Sequence, residues 1–232
     1  MEKFEYVDLF ASKGATYLTV IFFLISFVLF LRYINGKPLL KTAPAIVEDL
    51  KLTLVSWFQL ARDYFYHQGH AWAAVDSNNK IKIGLDDFAS KLIGVPSSVV
   101  PVKVGQQLQQ GRSTIDLMVN GKKLSVLAPV SGKVIEVNEK VLTNPELITT
   151  SPYTDGWLLK MDAENFAKDA TNLLKGSVAM AWLKETVKSI NQKMTGTPEL
   201  VLQDGGKIIP GFAREIDSEN WDKLVKEYLL TE

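Results

Sequence analysis

The chain contains no cysteine, only two histidines and no excess of either charge. Without cysteine it can form no disulfide, bind no iron–sulfur cluster through thiolates and offer no thiol nucleophile. Its 26 basic and 26 acidic side chains cancel, so no global field would gather nucleic acid or an acidic substrate. The composition therefore predicts no nucleic-acid partner.

The sequence also lacks the motifs of common catalytic sites. It has no serine nucleophile elbow, no phosphate-cradling glycine loop and no convincing pair of carboxylates. His67 and His70 have the spacing of two metal ligands on one helix face, but no cysteine and no clear third ligand accompanies them. We expect a structural role for both histidines, no metal site and no enzymatic activity.

One long apolar run lies near the N-terminus. Residues 15–31 carry no charge, and Arg32 follows at once. A helix needs roughly 17–25 apolar residues to cross a bilayer. Acidic residues before the run, and no Ala-x-Ala-like site after it, argue against a cleaved signal peptide. We predict an N-terminal segment at 1–14 and a transmembrane helix at 15–34, with anchor positions at Ala15, Phe23, Leu24, Val28, Leu31 and Arg32.

The charges around this run predict its orientation. Two basic residues precede it, and four follow it: Lys3 and Lys13, then Arg32, Lys37, Lys41 and Lys51. By the positive-inside rule, this distribution favours a single-pass protein with a cytoplasmic C-terminal domain. Beyond the run, Pro44 and apolar residues at helical spacing predict an amphipathic linker helix over 44–63, lying on the membrane or on the neighbouring domain.

The centre of the chain is typical of two β-hairpins in series. Strands at 115–119 and 124–127 flank Asn120-Gly121, the strongest short signal for a type I′ turn. A Pro-Val-Ser-Gly turn at 129–132 then leads into an alternating strand at 133–137. Further strands are predicted at 80–83, 99–102 and 157–161, and helices at 86–92 and 164–174, the latter capped by Asp162.

Seven sequence blocks, in order, resemble the H-protein of the glycine cleavage system. They are Tyr66–Trp72, Ile83–Ala89, Leu127–Gly132, Val137-Asn138, Asn144–Leu147, Ser151–Tyr153 and Gly156–Leu158. The resemblance implies a barrel-sandwich hybrid of short strands. It also implies a lipoyl group on a lysine at a hairpin tip, which carries an aminomethyl group between enzymes. We assign residues 64–175 to this domain.

The sequence departs from the family where the lipoyl lysine should stand. Counting back eight residues from Pro129, and forward ten from Gly111, gives Gly121 both times. Met118 and Val119 occupy the positions of the family's Glu-Ser pair. We therefore expect no lipoyl cofactor. Modification of Lys122 or Lys123 stays open as the alternative if the loop changes register.

Residues 176–232 form an extension that the resemblance does not cover. Its pattern predicts a helix at 178–190, a hairpin at 200–209 and a closing helix at 217–230. Large apolar residues, among them Trp182 and Trp221, either build an accessory subdomain or meet another protein. Together with Asn120, Lys122 and Lys123 they are the candidate partner contacts.

The sequence thus predicts a mainly β, barrel-sandwich fold with an N-terminal transmembrane helix and a C-terminal α+β extension. We expect a non-catalytic structural or docking subunit of a larger membrane complex, with other subunits as partners. A redox or respiratory complex is the class that fold analogy favours. The alternative function is a membrane-tethered lipoyl carrier.

Overall fold

The computed structural model describes residues 9–35, 57–76, 80–194 and 208–231. The chain divides into two compact units, Met1–Leu50 and Lys51–Glu232. Within the first unit, helix α1 spans Leu9–Asn35. Its side chains are described at position 14 and over 17–31.

Apolar side chains cover the surface of α1. Every large apolar residue between Tyr17 and Phe30 is exposed, from 48% at Phe27 to 73% at Phe22. Among the described residues, no helix is both long enough and apolar enough to cross a bilayer.

The second unit contains two antiparallel sheets. One has six strands in the order β1-β2-β3-β9-β8-β5, and the other has three in the order β4-β6-β7. The strands are β1 (Phe65–Tyr66), β2 (Ala71–Val75), β3 (Ile81–Leu85), β4 (Ser98–Val100), β5 (Gln107–Leu108), β6 (Ser113–Val119), β7 (Lys122–Leu127), β8 (Gly132–Val137) and β9 (Leu159–Ala163). The strands predicted from alternation are confirmed. Strand β4 stops before Pro101, which has no N–H to donate to a ladder.

Short helices connect the strands, and longer ones follow them. They are α2 (Asp87–Ile93), α3 (Glu139–Thr143), α4 (Leu147–Thr150), α5 (Phe166–Ala170), α6 (Gly176–Met194), α7 (Ala213–Ile216) and α8 (Trp221–Leu229). The fold is therefore mainly β with an α-helical extension. The hairpin predicted at 200–209 lies largely outside the described residues, and Ile208 and Ile209 form no strand.

The helix predicted at 164–174 is shorter than expected. It is α5, and its N-cap is Asn165, whose side chain accepts the N–H of Lys168. Asp162 lies instead in β9, where its carboxylate is 2.8 Å from the Lys80 ammonium. The prediction of Asp162 as the cap was wrong because β9 ends at Ala163, two residues beyond the end that its apolar pattern indicated.

The linker helix predicted at 44–63 falls mostly on residues 44–56, outside the described part of the chain. Residues 57–63 form turns and irregular structure. Their carbonyl groups bond to distant side chains: Lys91 Nζ donates to the Trp57 carbonyl at 2.8 Å, and the Tyr153 hydroxyl donates to the Gln59 carbonyl at 2.6 Å. These tertiary bonds replace the i→i−4 bonds of a helix.

One hydrophobic core joins both sheets and the extension. Val119 and Leu124 of the β6–β7 hairpin belong to the same buried cluster as Leu183 of α6 and Trp221 and Leu229 of α8. The extension is therefore packed into the β domain.

Candidate functional site

The candidate site is the β6–β7 hairpin, whose tip is a two-residue turn. Val119 pairs with Lys122, which leaves Asn120 and Gly121 between the strands. Their φ angles are +46° and +76°, as a type I′ turn requires. No heavy atom lies within 4 Å of the position that a Gly121 Cβ would occupy. The tip thus projects into open space with no functional side chain at its second residue.

The two lysines after the turn belong to strand β7 and project from opposite faces of the hairpin. The Lys122 ammonium lies 3.7 Å from the Asp222 carboxylate of α8. Lys123 reaches the other face, where its ammonium lies 3.2 Å from Asp116. Asp116 also accepts a hydrogen bond of 2.6 Å from the Ser125 hydroxyl. Both lysines remain more than half exposed, so these ion pairs orient the side chains but contribute little stability.

Helix α8 supports the inner face of the hairpin. The helix packs against β7 and α2 and buries Trp221, Leu224, Val225, Tyr228 and Leu229. Trp221 exposes only 6% of its surface, and the Arg214 guanidinium lies 5.5 Å from its ring centre. Trp221 is therefore part of the core. Two roles were open for this tryptophan: part of an accessory subdomain, or a contact with another protein. Its burial agrees with the first role and leaves little of its surface for the second.

The second candidate tryptophan, Trp182, covers a buried histidine. Its ring centre lies 4.5 Å from that of His70, and Phe88 stacks on the imidazole at 4.6 Å. His70 is 1% exposed, and its Nδ1 lies 2.7 Å from Asp86 Oδ2. Asp86 also accepts the Ala89 N–H as the N-cap of α2. The group is a satisfied internal network, in agreement with the structural role predicted for His70.

His67 is half-buried, and its ring nitrogen bonds to the local backbone. Its Nδ1 accepts the Gly69 N–H at 3.0 Å, which requires that nitrogen to be unprotonated. Burial, followed by the nearby His70, lowers the pKa of His67. Within the described residues, no group of three or more His, Cys, Asp or Glu side chains has a metal-binding arrangement.

The turn that follows the hairpin closes the sandwich. Gly132 pairs with Leu108 of β5 and Ala163 of β9. A Cβ there would overlap the Asp162 carbonyl oxygen, so only glycine fits. The preceding residue, Ser131, donates its backbone N–H to the buried Asp169 carboxylate at 2.6 Å. This turn fixes where β7 ends and β8 begins, and with it the position of the hairpin.

The family model for the glycine cleavage H-protein matches residues 64–186, more than half of the 232-residue chain. The chain belongs to the glycine cleavage H-protein family. A glycine cleavage system H protein of Carboxydothermus hydrogenoformans is 40% identical over 108 residues, covering 46% of this chain and 82% of that protein. That of Coprothermobacter proteolyticus is 39% identical over 93 residues, covering 40% and 73%.

An archaeal relative extends the match. The probable glycine cleavage system H protein 2 of Saccharolobus solfataricus is 34% identical over 135 residues, covering 57% of this chain and 88% of the relative. The crystal structure of a glycine cleavage system H protein from Mycobacterium marinum superimposes with a TM-score of 0.42 at 25% identity, covering 45% of this chain and 87% of that one. The residues matched by the family model, 64–186, include the hairpin and its supporting turn.

The residues of this H-protein-like hairpin do not fit a lipoyl group at the position that the resemblance implies. Gly121 has no amine to acylate. The resemblance implies an acidic residue and a serine at the positions of Met118 and Val119, and Val119 is buried. Lys122 and Lys123 carry amines, but both are strand residues in register with β6. No step of carrier chemistry can be assigned to Gly121.

Sequence reasoning missed two residues that organise the domain. Asp86 had no role of its own in the predicted helix at 86–92, yet its carboxylate is hydrogen-bonded to both His70 and the α2 backbone. Tyr153 accepts the Asp87 N–H at 3.2 Å and donates to the Gln59 carbonyl. Burial raises the pKa of the Tyr153 phenol far above its ordinary value. The position of Asp86 just before a helix is the sequence signal that could have indicated its capping role. No feature of the neighbouring sequence indicates the hydrogen-bond partners of Tyr153.

Proposed function

We propose that this protein is a non-catalytic, membrane-anchored H-protein-like subunit that docks to other subunits of a larger membrane complex. The observation that carries the proposal is Gly121 at the lipoyl position of a tight, supported hairpin. A hairpin that keeps its fold but has no lysine amine at this position can still bind other proteins. It cannot carry a lipoyl group there, so it cannot transfer an aminomethyl group. Analogy among lipoyl-like domains favours a redox or respiratory complex as the host.

Two features of α1 support the membrane part of the proposal. Residues 15–31 are uncharged, and the large apolar side chains from Tyr17 to Phe30 are all exposed. An apolar surface of this extent marks a membrane or protein contact. The excess of basic residues after the helix supports a cytoplasmic H-protein-like domain.

The second candidate function is a tethered lipoyl carrier. It is favoured by one observation: the ammonium-bearing side chains of Lys122 and Lys123 are 53% and 63% exposed. Accessible lysines beside a hairpin tip are physically able to accept an acyl group. The two functions therefore differ in the chemical state of two residues, which can be measured directly.

Intact-protein mass spectrometry of the native chain, with peptide mapping across 112–133, tests the choice. We expect Lys122 and Lys123 to carry no lipoyl group. The positive control is the triple variant Met118→Glu, Val119→Ser, Gly121→Lys, expressed beside the same lipoylating enzyme. Lipoylation of the control alone supports the docking function. A lipoyl increment on either native lysine would make the protein a carrier.

Docking itself is tested by co-purification in mild detergent. The double variant Lys122→Gln, Lys123→Gln should nearly retain its melting temperature, because both ammonium-bearing side chains are more than half exposed. It should lose co-eluting subunits if the hairpin tip binds them. Lys103→Gln, at an exposed residue outside the hairpin, is the matched control. Equal recovery of subunits by both variants would remove the tip from the docking surface.

A further inference from the structure

A polar cleft lies where the turn after the hairpin meets helix α5. It has a volume of about 400 Å³, and eight of the nine residues that line it are polar, so it suits a polar ligand. The lining includes Gln107, Gln110, Glu164, Lys168, Asp169 and Asn172. None of the lining residues belongs to the hairpin tip or to the His70 network.

Gln110 joins the walls of this cleft through four hydrogen bonds. Its Nε2 donates to the backbone carbonyls of Pro129 at 2.8 Å and Asp169 at 2.9 Å. Its Oε1 accepts Asn172 Nδ2 at 2.9 Å, and its backbone N–H donates to the Ser131 hydroxyl at 3.1 Å. A cleft whose walls are fixed in this way loses little freedom when a ligand binds.

The internal bonds of the cleft leave several oxygen acceptors unused. Gln107 donates its Nε2 to one carboxylate oxygen of Glu164, and Asn172 donates its Nδ2 to Gln110. Among the described residues, no hydrogen bond reaches the side-chain oxygens of Gln107 and Asn172 or the second carboxylate oxygen of Glu164. These three oxygens remain available to a ligand that carries N–H or O–H donors.

Asp169 adds a buried carboxylate with one open oxygen. The residue is 7% exposed, and its Oδ2 accepts the Ser131 N–H at 2.6 Å. No described group donates to its Oδ1. This oxygen is nevertheless not sealed off, because the sealed side-chain N and O atoms without a partner, within the described ranges, are the hydroxyl oxygens of Thr149 and Thr231. Oδ1 therefore meets solvent in the cleft that Asp169 lines.

The charges of the lining favour a cation. Two carboxylates, those of Glu164 and Asp169, and one ammonium, that of Lys168, give the lining a net charge of −1. Lys168 is exposed, so water screens its charge, whereas Asp169 is buried and its charge acts through a medium of lower dielectric constant. A cation that carries N–H donors would meet both the charge and the unused oxygens.

We propose that this cleft binds a small organic cation with N–H groups, of the alkylammonium or alkylguanidinium class. Asp169 Oδ1 accepts a charge-assisted hydrogen bond from the ligand, and the unused oxygens of Gln107, Glu164 and Asn172 accept its remaining N–H groups. The inference goes beyond the docking function and does not depend on membrane anchoring.

Isothermal titration calorimetry on the full chain in mild detergent tests the site. Putrescine and agmatine are the probes, and the control ligand is the bis(trimethylammonium) analogue of putrescine, which has the same charge as putrescine and no N–H. We expect saturable binding of both probes, and binding of the analogue weaker by about tenfold or more, because charge-assisted hydrogen bonds are lost.

Variants locate the binding. Asp169→Asn should weaken putrescine binding by about tenfold or more and nearly keep its melting temperature, because the amide oxygen can still accept the Ser131 N–H. Glu164→Gln, at an exposed residue, should weaken binding several-fold and decides the question if the first variant does not fold. Glu219→Gln, at an exposed acid of the extension, is the matched control and should bind as the wild type does.

Three results would overturn the proposal. The first is no saturable binding of either probe at millimolar concentration. The second is equal affinity for the quaternary analogue, which would mean diffuse charge attraction without hydrogen bonds. The third is unchanged putrescine binding in Glu164→Gln and in folded Asp169→Asn, or equal weakening in Glu219→Gln, which would place the cation elsewhere on the chain.

Discussion

Single residues at the hairpin tip decide both its shape and its chemistry. Gly121 adopts a φ of +76° that L-residues avoid, and it removes the amine that a carrier needs. Gly132, eleven residues on, has a positive φ of +154° and, in addition, no room for a side chain beside the Asp162 carbonyl across the sheet. Gly121 is thus required by its backbone angle alone, and Gly132 by its backbone angle and by close packing.

Alanine substitution should separate these two glycines. Gly121→Ala should cost about 1 kcal/mol of unfolding free energy, since the positive φ is strained but the space is open. Gly132→Ala should cost clearly more, because the methyl group would overlap the Asp162 carbonyl. Urea unfolding of both variants measures the difference. Equal losses would contradict the close packing described at Gly132.

A second prediction at this scale concerns His67 and pH. Burial lowers the pKa of His67 in the folded state, whereas in the unfolded chain the pKa is about 6.5. At pH values between these two pKa values, the unfolded chain therefore binds more protons than the folded one. Stability from this group is complete above that window and falls as the pH drops through it. Urea unfolding at several pH values should show the fall in the wild type and less of it in His67→Asn, whose amide oxygen can still accept the Gly69 N–H. Parallel profiles would contradict this assignment.

Among the elements, α8 links the extension to the hairpin. It packs against β7 and α2, and Tyr228 on its inner face lies 5.5 Å from the Phe88 ring centre. A half-buried Asp222 on the same helix meets Lys122 beside the tip. Apolar packing therefore contributes more than the ion pair to the support that the extension gives the hairpin.

Substitutions in α8 should reflect that order. Trp221→Ala should lower the unfolding free energy by about 3–5 kcal/mol, because it removes a buried aromatic side chain. Asp222→Asn should cost less than about 1 kcal/mol, since Lys122 is largely exposed. Amide hydrogen exchange at Leu124 should accelerate in the first variant only. A stable Trp221→Ala protein with unchanged exchange would mean that the extension does not support the hairpin.

For the whole molecule, the functional question is how an H-protein-like domain would behave if, as we propose, it is fixed to a membrane. Free diffusion serves a shuttle between soluble enzymes, whereas an anchored domain meets only neighbouring membrane proteins. The proposed docking role follows from that restriction together with Gly121. The described domain has its own core across both sheets and the extension.

Membrane integration is tested by carbonate extraction. The full chain should stay in the pellet, and deletion of residues 1–40 should release a folded, soluble protein, because it removes the uncharged run. Recovery of the full chain in the alkaline supernatant would contradict the anchor.

The orientation is tested with Val104→Cys, at a residue that is 64% exposed. An impermeant thiol reagent should label it after lysis and not in intact cells, if the domain is cytoplasmic. Labelling in intact cells would place the domain outside. The cysteine-free parent protein is the background control.

The sequence by itself determined the features that depend on neighbouring residues. Asn120-Gly121 specified the turn through the φ angles that both residues tolerate, and the 3.6-residue apolar period specified α6. The family's blocks, spaced around Gly111 and Pro129, specified the H-protein-like domain and predicted that Gly121, and no lysine, stands at the lipoyl position. These conclusions required no knowledge of contacts between distant residues.

Only the tertiary structure decided the rest, since it depends on groups far apart in the chain. Residues 57–63 are not helical because two of their carbonyl groups accept hydrogen bonds from distant side chains instead of from local N–H groups. Lys91 is 34 positions from its partner Trp57, and Tyr153 is 94 positions from its partner Gln59. Asp86 became the partner of His70 because the antiparallel register of β2 and β3, with Ala71 opposite Leu85, brings these two residues together. Trp221 entered the core because α8 packs against β7. Local dihedral preferences and periodicity contain no information on which distant surfaces meet, so the roles of these residues follow from packing alone.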